Sequence, residues 1–210
     1  MTAPRLLLAG AGGHARACLD VVECGGGFEV AGFVGLPEEV GKTILGYPVL
    51  GTDSDIPALA ESVACALVAA GQIKSPALRR RLFDLLLAAG FELPVIVSPH
   101  AWISPHAQLG AGTIVMHGAI VNAGAVIGRN CIVNSRALVE HDALLADHCH
   151  IATGAIINGG VRIGEGTFVG SGACIREGVS IGANSVIPMA SVVRTDGANG
   201  LASAHQRSGT

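Results

Sequence analysis

A mainly parallel α/β unit followed by a parallel β-helix is the fold this sequence predicts, on three observations. Residues 1–94 alternate strand-like and helix-like segments. From Val97 to Val193 an aliphatic residue recurs at every sixth position without exception. Thirty glycines and only 3% aromatic residues leave small aliphatic side chains to build the core. Alternating elements point to a parallel sheet, and a six-residue period to a solenoid.

In the first unit, Arg5 to Ala9 reads as a strand that enters Gly10-Ala-Gly12-Gly13-His14-Ala15 and then a helix to about Cys24. Phe28 to Val34 reads as a second strand, and Tyr47-Pro48-Val49-Leu50-Gly51 as a short connector. Asp53-Ser54-Asp55 is placed to cap a helix through Glu61. Ala64 to Ala69 reads as a buried strand. Ser75 and Pro76 fit the N-cap and first position of a helix that runs to Ala89, with Gly90 ending it.

In the second unit, residues 95–210, the aliphatic register runs Val97, Ile103, Leu109, Val115 and onward. A small residue follows four positions later, as at Ala119, Ala125, Cys131 and Ala137. Three hexapeptides close one triangular coil of a parallel left-handed β-helix, so residues 18 apart stack at the inter-strand spacing of about 4.8 Å. The position three after each aliphatic favours positive φ, where Gly and Asn are cheapest. It reads Gly112, Gly118, Gly124, Asn130, then Arg136, Asp142, His148, then Gly154, Gly160, Gly166, Gly172, Gly178, Asn184. The rule lapses for one whole coil, and local rules are broken most often where function requires it.

That coil carries His141, His148 and His150. Adding 18 to His141 gives Gly159, whose missing side chain leaves its backbone N–H open to a substrate oxygen. His141 as a base, Asp142 to fix its tautomer and the Gly159 N–H as oxyanion donor form the minimum set for acyl transfer. His148 admits structural and functional readings equally. His100, His106 and His117 read as ordinary surface or turn histidines, and Cys131 and Cys149 as stacked core residues. The Gly10-x-Gly12-x-x-Ala15 loop fits a phosphate-binding strand-to-helix turn. No acidic residue ends the second strand, where Val34-Gly35-Leu36-Pro37 stands, so a nucleotide diphosphate is expected and NAD is not.

The composition excludes other classes. Half the chain is apolar, which excludes disorder, and a net charge of −3 argues against a nucleic-acid partner. The mean hydropathy of +0.54 raises the possibility of a membrane span. The charge-free stretch Leu93 to Gly128 is broken by prolines, histidines and glycines, so no membrane insertion is expected. No signal peptide opens the chain and the six cysteines have no C-x-x-C spacing, which predicts reduced thiols and a cytoplasmic location.

The Gly-Ala-Gly-Gly-His-Ala opening, the Gly-Tyr-Pro-Val-Leu-Gly connector and Glu140-His141-Asp142 together resemble bacterial nucleotide-sugar acetyltransferases of surface-polysaccharide biosynthesis. The likeness is strongest to the GDP-perosamine N-acetyltransferases. It implies a homotrimer with acetyl-CoA lying along the helix between subunits and a nucleotide-linked amino sugar on the α/β unit. His141 would be the general base, Asp142 its partner and Gly159 the oxyanion donor. Gly10, Gly12, Gly13, His14, Asn134 and Glu140 would face the sugar nucleotide. His150, Gly159, Gly160 and Gly178 would face the cofactor. No metal is implied. Relatives with a UDP sugar carry an Asp-Asp pair after the second strand; Val34-Gly35-Leu36 lacks it, leaving room for GDP. The C-terminal Gly200-Leu201-Ala202-Ser203-Ala204 also departs from the family pattern. O-acetylation, a zinc carbonic anhydrase on the same solenoid and a non-catalytic nucleotide-sugar-binding trimer are the competing expectations.

Overall fold

Leu6, Leu7 and Leu8 are fully buried on both faces of strand β1 (Arg5–Ala9), as an unalternating aliphatic run requires of a central parallel strand. The computed structural model describes residues 3–197, so the 200–204 segment lies outside the described residues. After β1 come helix α1 (Gly13–Gly25), β2 (Glu29–Val34), β3 (Thr43–Ile44) and β4 (Tyr47–Gly51). Helix α2 (Ile56–Leu59), β5 (Cys65–Val68) and helix α3 (Ala77–Ala88) complete the unit. The sheet order is β3-β4-β2-β1-β5, parallel except for the β3–β4 pair.

Two segments differ from the expectations. Tyr47–Gly51 is a strand rather than a connector, because Val49 pairs with Phe33 and is buried there. The predicted helix through Glu61 contracts to a 3-10 turn and the four residues of α2, started by Thr52 N–H donating to Asp55 at 2.7 Å. Helix α3 begins one residue later than read, with Pro76 rather than Ser75 as its N-cap and Ala89 as its C-cap; the Ala77 N–H donates to Ser75 Oγ, and Gly90 beyond its end takes φ +88°.

The second unit is a prism of two-residue strands in three parallel sheets of six, five and six strands. Every strand-to-strand pairing within it joins residues 18 apart, such as Leu138 with Ile156 and Ile132 with His150. The register aliphatics from Val115 to Val193 fill the interior. Val97, at the open end, is 36% exposed. All the turn positions read as favouring positive φ adopt it, including Arg136, Asp142 and His148.

The two units share a core. Ile96, Ile114 and Ile132 project outward from one prism face and are buried with Cys18, Leu19 and Val22 of α1. Removing that much apolar surface from water is the main attraction between them. Arg79 of α3 adds a polar tie. It is fully buried and donates to the carbonyls of Val68, Ala70 and Asn130 and to Asn130 Oδ1.

Candidate active site

The broken turn register has two separate uses. At one prism corner, His141 Nδ1 lies 2.9 Å from Asp142 Oδ2, so the Nδ1–H donates to the carboxylate and the Nε2 lone pair is left for a substrate proton. That hydrogen bond raises the His141 pKa above its ordinary value. A Cβ built on Gly159 would stand 2.7 Å from His141 Nε2. The glycine is therefore required for the ring to lie against the next coil. Gly160 N–H donates to the His141 carbonyl and Gly178 N–H to that of Gly159, which continues the corner upward. Glu140 accepts from Asn122 Nδ2 at 2.8 Å and from the His141 N–H at 3.3 Å. The His141 and Asp142 side chains are 66% and 73% exposed, so a single chain leaves this corner open.

His148 serves the other use. Its ring meets Phe83 edge-on with centroids 5.5 Å apart, and its Nδ1 accepts from Asn130 Nδ2 at 2.9 Å. Burial lowers its pKa. Its contacts join the prism to α3, which favours the structural reading. His117 is more than a surface histidine: its Nε2–H donates to Asp20 of α1 at 2.8 Å, and Ser98 Oγ donates to its Nδ1 at 2.6 Å.

A second feature is a pocket of about 880 Å³ at the carboxyl ends of β1, β2 and β5. β1 has β2 on one side and β5 on the other, the switch point where open parallel sheets bind ligands. Gly10, Gly12, Gly13 and His14 line it, and no side chain caps the start of α1, leaving backbone N–H groups for an anion. The three glycines differ. Gly10 has φ +123°, and a Cβ there would stand 2.8 Å from Ala70 N. At Gly12 and Gly13 a Cβ would meet nothing within 4 Å. Gly10 is thus needed by the chain itself, whereas the openness at Gly12 and Gly13 serves the pocket.

The wall toward the prism holds His14, Gln72 and His150. His150 follows Ile96, Ile114 and Ile132 on the outward row, at the point where the row emerges from beneath α1. Its Nδ1–H donates to the Gln72 carbonyl at 2.6 Å, and its Nε2 accepts from Asn134 Nδ2 at 3.2 Å. These bonds define a neutral tautomer, and burial pushes its pKa down to about 4. Burial, with the Arg79 charge nearby, pushes His14 down to about 3. The two rings lie 6.1 Å apart.

The structure therefore gathers the candidates into two groups. Gly10, Gly12, Gly13, His14, His150 and, through His150, Asn134 belong to the pocket. Glu140, His141, Asp142, Gly159, Gly160 and Gly178 belong to the corner. His150, expected beside the cofactor, stands with the pocket group. The sequence reading missed Gln72 and Arg79. The only signal for Gln72 was its place just after β5, at the same sheet edge as the glycine loop. Among the described residues there is no group of three or more His, Cys, Asp or Glu able to hold a metal, and no helix long and apolar enough to cross a membrane.

A pocket at a parallel-sheet switch point, joined to a hexapeptide prism with a His–Asp pair at its corner, defines a hexapeptide-type acyltransferase. Residues 5–86 match the family model described as the PglD N-terminal domain, and residues 160–195 match the bacterial transferase hexapeptide (six repeats). No curated protein matches the chain in sequence. Among solved structures, a histidine-to-asparagine variant of perosamine N-acetyltransferase from Caulobacter crescentus, in complex with CoA and GDP-perosamine, is 34% identical. That match covers 93% of this chain and 91% of the other, with a TM-score of 0.87. The acetyltransferase domain of PglB from Neisseria gonorrhoeae FA1090, in complex with acetyl coenzyme A, is 33% identical, covers 94% of both chains and has a TM-score of 0.85. The chain belongs to this family of bacterial nucleotide-sugar N-acetyltransferases.

Proposed function

We propose that this protein moves the acetyl group of acetyl-CoA to the 4-amino group of a nucleotide-linked dideoxy amino sugar, with GDP-perosamine as the favoured substrate. The observation that carries the reading is the His141–Asp142 pair held against Gly159. It offers a free Nε2 base beside a backbone N–H at a corner open to solvent. His141 takes a proton from the attacking amine, Asp142 stabilises the imidazolium, and the Gly159 N–H holds the carbonyl oxygen as it gains charge. The imidazolium returns that proton to the departing CoA thiolate. Attack is direct, with no acyl-enzyme.

The pocket takes the nucleotide sugar. Its β2 and β4 side, lined by Val34, Gly35, Leu36 and Thr52, receives the nucleoside, the start of α1 the diphosphate, and the Gln72–His150 side the sugar. The Asp-Asp pair of UDP-sugar relatives is missing directly after β2, which favours GDP; Glu39 and Asp53 are the acidic residues on this side of the pocket. The location is cytoplasmic and the product feeds O-antigen or a related surface polysaccharide.

His141 stands outside the pocket wall, beside a prism corner, whereas His150 stands on a prism face in a strand. This supports a homotrimer of left-handed prisms in which one subunit's corner completes a neighbour's pocket, with acetyl-CoA between them along Gly160 and Gly178. Sedimentation equilibrium tests the trimer, and a monomer would remove it. CoA release with GDP-, UDP- and TDP-linked 4-amino-6-deoxy sugars, with hydroxyl analogues as controls, tests the reaction. Turnover with GDP-perosamine alone supports the reading; turnover confined to the hydroxyl analogues would replace it with O-acetylation.

A further inference from the structure

Gln72 is 3% exposed, and both its backbone and its side chain are tied to the prism. Its carbonyl accepts from His150 Nδ1–H, and its Nε2 donates to the Gly166 carbonyl at 3.0 Å. A carbonyl accepts only, so the amide orientation is fixed by chemistry: the nitrogen faces Gly166, and Oε1 is the atom left over. That Oε1 is buried without a hydrogen-bond partner in the protein, on a residue that lines the pocket. A buried acceptor with no donor has lost its hydration without compensation, so such an atom is a candidate for completion by a ligand.

Sheet order indicates which part of the ligand it meets. β1 is central, with β2 and β4 on one side and β5 on the other. The anion-binding start of α1 follows β1, and a nucleotide sugar whose sugar faces the prism, where the proposed acyl transfer takes place, then has its nucleoside over β2 and β4. Gln72 follows β5, on the opposite side, against the prism. It is beyond the diphosphate and beside the sugar. Phosphate oxygens carry no proton to give to Oε1 at neutral pH. The reacting amine has to reach His141, which stands at a prism corner outside the pocket wall. A hydroxyl of the sugar is the donor that remains.

We propose that Gln72 is a specificity-determining residue whose Oε1 accepts a hydrogen bond from a ring hydroxyl of the nucleotide-linked sugar. It rests on the nucleotide-sugar reading above and adds the group that distinguishes the sugar from the bare nucleotide. A site that hydrogen-bonds a substrate hydroxyl discriminates strongly against an analogue without it, because the buried partner is then stranded.

Titration calorimetry with GDP and with GDP-perosamine, on the wild-type protein and Gln72→Met, tests this. GDP should bind both proteins within about twofold, while GDP-perosamine should bind the variant roughly 10- to 100-fold more weakly, the scale of one stranded buried acceptor. Equal weakening of both ligands, or of neither, overturns the role. Should Gln72→Met fail to fold, the wild-type protein is titrated with GDP-perosamine analogues lacking the 2- or the 3-hydroxyl. One of them should bind at least about 10-fold more weakly than the parent, and parent-like affinity for both overturns the proposal. A wild-type protein that binds GDP but not GDP-perosamine would remove the functional reading itself, and this role with it. Tight wild-type binding of GDP-perosamine with an unaffected Gln72→Met removes only Gln72.

Discussion

The His141 ring lies so close under Gly159 that a Cβ on that glycine would stand 2.7 Å from both Cε1 and Nε2. Gly159 does not have a positive φ, so its requirement is one of space alone. Gly159→Val should therefore keep the prism folded, with an unchanged circular dichroism spectrum, while lowering turnover by at least about 100-fold, because its side chain displaces the His141 ring and blocks the approach to the backbone N–H that the substitution retains. Normal turnover in a folded variant would remove the oxyanion assignment.

His141→Ala should lower kcat by at least about 100-fold with little change in the KM for acetyl-CoA, the pattern of a base used in the transition state. The pH profile reports on the partner. Asp142 raises the His141 pKa, and the base must be neutral to act, so activity is lost as pH falls through that raised value. Asp142→Asn removes the cause, and the acidic limb of the profile should move to lower pH. An unmoved limb would mean that another group sets it.

His14 and His150 are held neutral by burial, with pKa values down to about 3 and about 4. Between those values and the unfolded value near 6.5 the unfolded chain binds more protons, so stability falls as pH falls through this window. Each group contributes a slope of up to about 1.4 kcal/mol per pH unit. Urea denaturation midpoints from pH 7 to pH 4.5 should drop steeply in the wild type and more shallowly in His150→Gln. Parallel curves would contradict the assigned neutrality of His150.

The glycines of the first loop should separate by role. Gly10→Ala forces a Cβ against the Ala70 backbone in a positive-φ conformation and should lower the melting temperature. Gly13→Val meets open space within the protein, so the fold should survive while GDP affinity, read by calorimetry, falls at least about 10-fold. Unchanged GDP affinity would move the phosphates away from this loop.

Arg79→Met strands the carbonyls of Val68, Ala70 and Asn130 and leaves Asn130 Oδ1 without a donor. A loss of about 3 kcal/mol is expected, lowering Tm by roughly 6–12 °C in scanning calorimetry. An unaltered Tm would show that the junction does not depend on this guanidinium.

The solenoid was legible in the sequence because its long-range neighbours lie at one fixed separation. The paired strands of successive coils are 18 residues apart, so Gly159 above His141 follows from addition, and Arg136, Asp142 and His148 stood out as exceptions to a simple rule. The strand-to-helix loop at Gly10–His14 was equally legible, because its requirements are local. The strand at Tyr47–Gly51 was not, since pairing with Phe33 across the chain decides it.

What the sequence by itself determined is the prism, its turn conformations and the His141–Asp142–Gly159 corner, all properties of a repeat. Only the tertiary structure decided the pocket's second wall. Gln72 meets Gly166 and His150, Arg79 meets Asn130, and His117 meets Asp20, at separations of 94, 78, 51 and 97 residues. No local propensity or period carries those pairings. They exist because Ile96, Ile114 and Ile132 bury their outward faces beneath α1, which fixes the α/β unit against one side of the prism.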